Sequence, residues 1–336
     1  DMFVNSFING TDWKNEVTAI DRMAKLTKED IVAFANKYLK EDNYAVIYKK
    51  QGKDPNEKKM TKPEITPIIT NRDVTSPFLV EVQESAVKPI EPVFLDYQKD
   101  MSQLKAKSDI PVLYKQNVAN DLFQLIYVFD MGNNHDKALG TAFDYLEYLG
   151  TSDMTPEELK SEFYRLACTF YVSPGNERTY VVLSGLNENM PAAVQLFEKL
   201  LADAQVNKEA YTNMTSDILK ARSDAKLNQG QNFSRLMSFA MYGPKSPATN
   251  LLTEAELTNM NPQELVDRIH NQNSYKHRIL YYGPSSSKDL LATINQYHQV
   301  PAALKDIPAG NEYSYLETPV TKVLVAPYDA KQIYMA

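Results

Sequence analysis

Residues 143–151 read Phe-Asp-Tyr-Leu-Glu-Tyr-Leu-Gly-Thr. The apolar positions recur at helical spacing, and positions i, i+3 and i+4 of a helix share a face. Asp144, Glu147 and Tyr148 are therefore expected to project together. An inverted zinc motif, His-x-x-Glu-His, needs imidazoles at the outer two of these positions and a carboxylate base between them. Only the Glu is kept. Phenols ionise, and so ligate, only near pH ~10, and one Asp with one Glu is a poor cage for a borderline-soft cation. The stretch reads as a zinc-site helix without its zinc ligands, and no catalytic or metal residue is assigned on this chain.

The flanking sequence sets this helix in an α+β frame. Upstream, residues 110–115 and 122–131 alternate as two strands, and Val118-Ala119-Asn120-Asp121 between them predicts a hairpin turn. After the loop at 132–135, helical periodicity runs over 137–149. Pro156 suits the first turn of the next helix, with Glu157 and Glu158 complementing its positive end. Strand-like residues 169–172 and 178–186 flank Ser173-Pro174-Gly175-Asn176, a second predicted hairpin. Helices are expected over 189–204, 208–228, 233–242 and 262–271, a strand over 275–282, and a helix over 288–298 with a serine cap from Ser285–Ser287. This order predicts an antiparallel-rich sheet with helices packed on one face.

Outside this block the pattern changes. Thr27 with Asp30 opens a helix carrying Ile31, Phe34, Ala35, Tyr38 and Leu39 at helical spacing, and residues 43–48 read as a strand. Six lysines fall between Lys49 and Lys62, and Pro55, Pro63, Pro67, Pro77, Pro89 and Pro92 hold a third of the 18 prolines, as in an extended connector. Residues 322–327 begin another strand. Asp1 opens without an initiator Met, and Met335-Ala336 closes inside an apolar stretch, so the chain reads as an internal fragment, with no targeting signal to assign a compartment.

A formal net charge of -7 and a pI of 5.3 argue against nucleic acid as the main partner, and no apolar run is long enough to span a bilayer. The single cysteine, Cys168, excludes an internal disulfide and reads as a buried structural thiol. His135, His270, His277 and His298 show no i, i+4 pair and read as surface or hydrogen-bonded residues. The 21 tyrosines, among them the pairs Tyr145/Tyr148 and Tyr281/Tyr282, suit either a peptide-lined chamber or ordinary packing.

The arrangement resembles the insulinase/pitrilysin family of inverzincin zinc metallopeptidases. The segment Asp144-Tyr145-Leu146-Glu147-Tyr148-Leu149-Gly150-Thr151, followed by Met154 to Glu158, is similar to their zinc helix with both histidines replaced. Ser184-Gly185-Leu186 and the long helix pair continue the likeness, and residues 26–39 are similar to the end of such a domain. The resemblance implies a clamshell of two halves, one supplying zinc and a silent one closing the chamber on a peptide or small unfolded polypeptide. Mapped here, 1–52 would end the active half, 53–92 would link the halves, 93–300 would be a complete inactive domain, 301–312 a connector and 313–336 the start of a further domain. The family's third ligand is a Glu on a later helix, where this chain offers Asp217 and Asp224. The implied cofactor is zinc in the parent enzyme, with none on this fragment, and the implied partner is the catalytic half of the same polypeptide. Rival readings are a non-catalytic structural subunit of the same fold, as in processing-peptidase cores, and a solute-binding protein.

Overall fold

In this computed structural model the described residues are 1–49, 52, 61–68, 70, 74–317, 322–326 and 333–336. They divide into two compact units, Asp1–Pro89 and Ile90–Ala336.

The first unit holds helices α1 (Met2–Asn9), α2 (Trp13–Val17), α3 (Ala19–Met23), α4 (Lys28–Tyr38) and α5 (Pro77–Glu84). Thr27 and Asp30 form the expected reciprocal capping box at the start of α4. Residues 43–48, expected as a strand, are irregular and exposed. A strand needs a partner for its backbone groups, and the described residues of this unit contain none. The span expected as an extended connector contains α5, started by the Ser76 side chain accepting from the Leu79 N–H at 3.2 Å and by Pro77 in the first turn.

The second unit is built on a six-stranded sheet. Its strands are β1 (Ser102–Lys105), β2 (Pro111–Gln116), β3 (Leu122–Phe129), β4 (Cys168–Pro174), β5 (Thr179–Leu186) and β6 (His277–Gly283), in the order β1-β2-β6-β3-β5-β4. All neighbours are antiparallel except β2 and β6. The hairpin expected between β2 and β3 does not form: β6 lies between them, pairing Val112 with Ile279 on one side and Tyr127 with Ile279 on the other. The connecting loop crosses the end of β6 instead. Asn117 fixes the crossing: its N–H donates to Gly283 O at 2.8 Å, and its side chain bonds Asn120, Leu122 O and the Ala119 N–H. The hairpin of β4 and β5 forms as expected. Short β1 was not legible, and residues 322–326 lie in no strand, with Pro327 outside the described residues.

The helices of this unit are α6 (Leu139–Leu146), α7 (Pro156–Arg165), α8 (Met190–Asp203), α9 (Lys208–Ala225), α10 (Gln229–Tyr242), α11 (Glu254–Asn259), α12 (Gln263–Asn271) and α13 (Ser287–Tyr297). Period-two alternation puts Phe123, Leu125, Tyr127 and Phe129 of β3 on one face, in register with Val181 and Leu183 of β5 and Ile279 and Tyr281 of β6. That face meets Phe143 of α6, Phe197 of α8, Ile269 of α12 and Ile294 of α13 in one core. Each such side chain contributes roughly 1.5–3 kcal/mol by leaving water. Residues 301–312, read as a connector, pack on this body: Tyr275 bridges Lys305, and the Asn311 N–H donates to Asn134 O at 2.7 Å.

An acidic side chain sits inside this core. Glu198 of α8 is 1% exposed and accepts from Asn273 Nδ2 at 2.9 Å, the Gln299 N–H at 3.0 Å and His298 Nδ1 at 2.7 Å. His298 Nε2 meets His277 Nε2 at 2.8 Å, and His277 Nδ1 meets Tyr275 O at 2.7 Å. A carbonyl only accepts, so His277 donates through Nδ1 and accepts through Nε2. His298 then donates from Nε2, and its Nδ1 shares a single proton with Glu198 across the 2.7 Å contact. Burial first, and then His298, hold His277 down to about 4.

Two outcomes follow for stability. His298→Leu leaves Glu198 buried without its imidazole and is expected to cost about 3–5 kcal/mol, a fall in Tm on the order of 10 °C by calorimetry. His277 is neutral in the fold at pH values where an unfolded histidine, near 6.5, charges. Its contribution is complete above about pH 6.5 and is lost as pH falls toward about 4, at up to ~1.4 kcal/mol per pH unit. Denaturant titrations across that range measure the slope, and imidazole NMR titration assigns it to His277.

Candidate functional site

The helix carrying the substituted motif is held at both ends. At its start the Gly140 N–H donates to Asn133 Oδ1 at 2.8 Å. Near its end the fully buried Tyr145 donates its hydroxyl to Asn207 O at 2.7 Å and accepts the Asn207 N–H at 2.9 Å, tying α6 to the start of α9. The expected helix over 137–149 is shorter, because α6 ends at Leu146 with Glu147 as its cap. Beyond it the chain tightens to i→i+3 bonds, Tyr148 N–H to Tyr145 O at 3.0 Å and Leu149 N–H to Leu146 O at 3.1 Å. Asp144 and Glu147 line one cleft, and Tyr148 lines another.

The larger cleft, about 740 Å³, opens between the end of α6, the helix α7 and the strand β4. Thr155 and Glu158 cap α7 reciprocally, which sets Leu159 and Phe163 inward. Gly150 permits the turn before it, since a Cβ there would stand 2.3 Å from Met154 O. Into β4 the chain passes through Ala167 at φ 49, and Gly185 of β5, at φ +154, leaves room for Cys168, whose Sγ a Cβ at that position would approach to 2.6 Å. Cys168 is buried as expected, and burial pushes its thiol up. Along β4 the alternation turns Phe170 to the core, where its ring lies 4.9 Å from Phe163 and 4.8 Å from Phe197, and leaves Tyr171 exposed. Among the described residues β4 is also an edge of the sheet, paired with β5 alone.

The cleft thus combines an apolar wall, an unpaired strand edge and an acidic rim. Loss of water and the neighbouring negative charge of Glu147 raise Asp144 above the usual aspartate range. The smaller cleft, about 260 Å³, gathers Tyr148 with Asn207, Glu209, Asn213 and Asp217. Asp224, the other acid offered by α9, is turned into an ion pair with Lys220 at 2.5 Å. The zinc implied by the resemblance does not fit these residues, because the two carboxylates face one cleft and the phenol the other. Among the described residues no three His, Cys, Asp or Glu side chains stand where they could hold a metal together. Nor is any described helix long and apolar enough to cross a membrane.

All four histidines are hydrogen-bonded, His135 from the Gly132 N–H and His270 to Ala204 O, and two of them lie in the core pair described above. Of the tyrosines considered for a chamber, Tyr145 and Tyr281 are core residues, whereas Tyr164 and Tyr171 line the large cleft. Those two, with Lys160, Phe163 and Phe170, were not singled out from sequence. The legible signal was the alternation of residues 169–172 beside an amphipathic α7.

No protein-family profile and no curated protein matches this sequence. Solved structures do match. The periplasmic protease PqqL from Escherichia coli aligns at TM-score 0.57 and 13% identity, over 89% of this chain and 31% of its own. A peptidase M16 inactive domain from Pseudomonas fluorescens aligns at TM-score 0.53 and 16% identity, over 63% of this chain and 54% of its own. The ferredoxin protease FusC, solved as a point mutant with Arabidopsis ferredoxin, aligns at TM-score 0.56 and 11% identity, over 94% of this chain and 37% of its own. This chain therefore has the α+β fold of M16 peptidase domains, as the resemblance implied. It spans about a third of the two longer proteases and about half of the third structure.

The raised Asp144 has a checkable sign. The penalty on folding begins as the unfolded carboxyl ionises near pH ~3.9 and is complete above the folded value, so Asp144→Asn is expected to stabilise the protein at pH 7 and to make no difference below about pH 3.9, where both states are protonated. With solvent screening the gain is under ~1 kcal/mol, about 1–3 °C in Tm. Thermal melts of the two proteins from pH 3 to 7 measure it.

Proposed function

We propose that this chain is a non-catalytic half of a zinc-dependent peptidase, closing the peptide chamber of its parent enzyme and holding the substrate in the cleft beside β4. The observation that carries the reading is the substituted motif helix, standing in an M16 peptidase fold at the rim of a cleft with an unpaired strand edge. An extended peptide satisfies its own backbone groups by pairing with such an edge, and alternate side chains then enter the adjoining pocket. The M16 inactive domain from Pseudomonas fluorescens supports a silent module of this fold, and the two longer proteases support a proteolytic parent. Zinc and the water-activating base belong, in this reading, to the other half.

Two measurements test the reading. Elemental analysis after incubation with zinc and dialysis is expected to find no stoichiometric metal, and peptide assays no cleavage by the chain alone. One zinc per chain, lost in Asp144→Asn with Glu147→Gln, overturns the assignment. Hydrogen exchange with the blocked peptide acetyl-Thr-Val-Lys-Val-Thr-amide is expected to slow the amides of β4 and to leave those of β1, the opposite edge, unchanged. Protection at β1, or nowhere, removes peptide contact at β4.

A further inference from the structure

The acid pair at the cleft rim has no explanation in the fold. Asp144 and Glu147 form no hydrogen bond and no ion pair among the described residues, although Glu147 adds to the cost of ionising Asp144. The other charged side chain lining the cleft is Lys160 of α7, which also forms no ion pair there. The cleft therefore carries two negative charges against one positive. Behind the rim the wall is apolar, formed by Leu146, Leu159, Phe163, Phe170 and Leu200. Tyr164 and Tyr171, 88% and 55% exposed, line the same cleft.

This is the environment of an amphipathic cation. A lysine or arginine lays its methylene stem on apolar surface while its head stays at the polar boundary, and aromatic faces add attraction for the charge. A purely apolar side chain would use the wall but leave the two carboxylates as they are. An acidic one would be repelled.

Building on the peptide-contact reading above, we infer that the cleft selects a lysine or arginine side chain from an extended peptide paired with β4. Its stem lies along Phe163 and Phe170 and its charge meets Asp144 and Glu147. The substituted motif positions then act in recognition: a carboxylate stands where a zinc helix has its first imidazole, and the one retained Glu is its partner.

The test uses the whole chain and three blocked peptides, acetyl-Thr-Val-X-Val-Thr-amide with lysine, norleucine or glutamate at X, measured by calorimetric titration. The lysine peptide is expected to bind roughly tenfold tighter than the norleucine peptide at low salt, with glutamate weakest, and the difference is expected to shrink at about 0.5 M salt. In Asp144→Asn with Glu147→Gln the lysine preference is lost while norleucine binding is retained, which also shows that the variant is folded. Equal binding of lysine and norleucine by the unmodified chain overturns this inference and leaves peptide contact standing. A lysine preference that survives the double substitution overturns it as well. Binding by none of the three removes the peptide-contact reading and the inference together.

Discussion

A carboxylate in the core constrains the whole second unit. Isolated, an ionised Glu198 would cost several kcal/mol, so α8 can pack on the sheet only when His298, Asn273 and the Gln299 N–H arrive to meet it. Those groups come from the end of α13 and the turn before β6. The second histidine, His277, is a β6 residue facing Phe129 of β3 at 4.6 Å. One hydrogen-bonded chain thus fixes where two helices sit relative to the central strands. The helices in turn support α6 through α12, and with it the rim of the cleft.

Local features were legible in the sequence and distant ones were not. Residues 168–186 announced a hairpin because Pro174 and Gly175 lie between two β-rich runs, and the boundaries fell within a few residues of β4 and β5. The strands at 111–116 and 122–129 announced themselves equally well, yet their pairing did not. Their shared neighbour β6 lies about 150 residues later, and alternation says which side chains face the core without saying which strand is adjacent. β1, reading Ser-Gln-Leu-Lys, has too few β-formers to signal, and α11 is two turns marked only by the Thr253 capping box.

The site shows the same division. Phe143 to Thr151 was recognisable as a motif helix with its imidazoles gone, because a motif is a local spacing. That Asp144 and Glu147 line one cleft and Tyr148 another depends on which helices and strands pack on either side of α6, which no side-chain pattern records. The cleft itself needs Phe163 from α7, Phe170 from β4 and Leu200 from α8, and their convergence belongs to the packing. The core histidines illustrate the limit: His277 and His298 are 21 residues apart, and Glu198 is 100 residues before His298.

The placement of β6 also has a consequence in time. During synthesis β2 and β3 leave the ribosome together, but the strand that separates them follows about 150 residues later, roughly 7–30 s at ordinary rates. Through that interval the two strands expose facing edges whose easiest partners are each other, in the hairpin the sequence suggests and the fold rejects. The Asn117 side chain makes its local bonds within its own loop, but the Gly283 carbonyl that fixes the crossing arrives only with β6. Correct assembly depends on keeping that gap open, so the young chain is most exposed to mispairing and capture by other strands while it is still tethered.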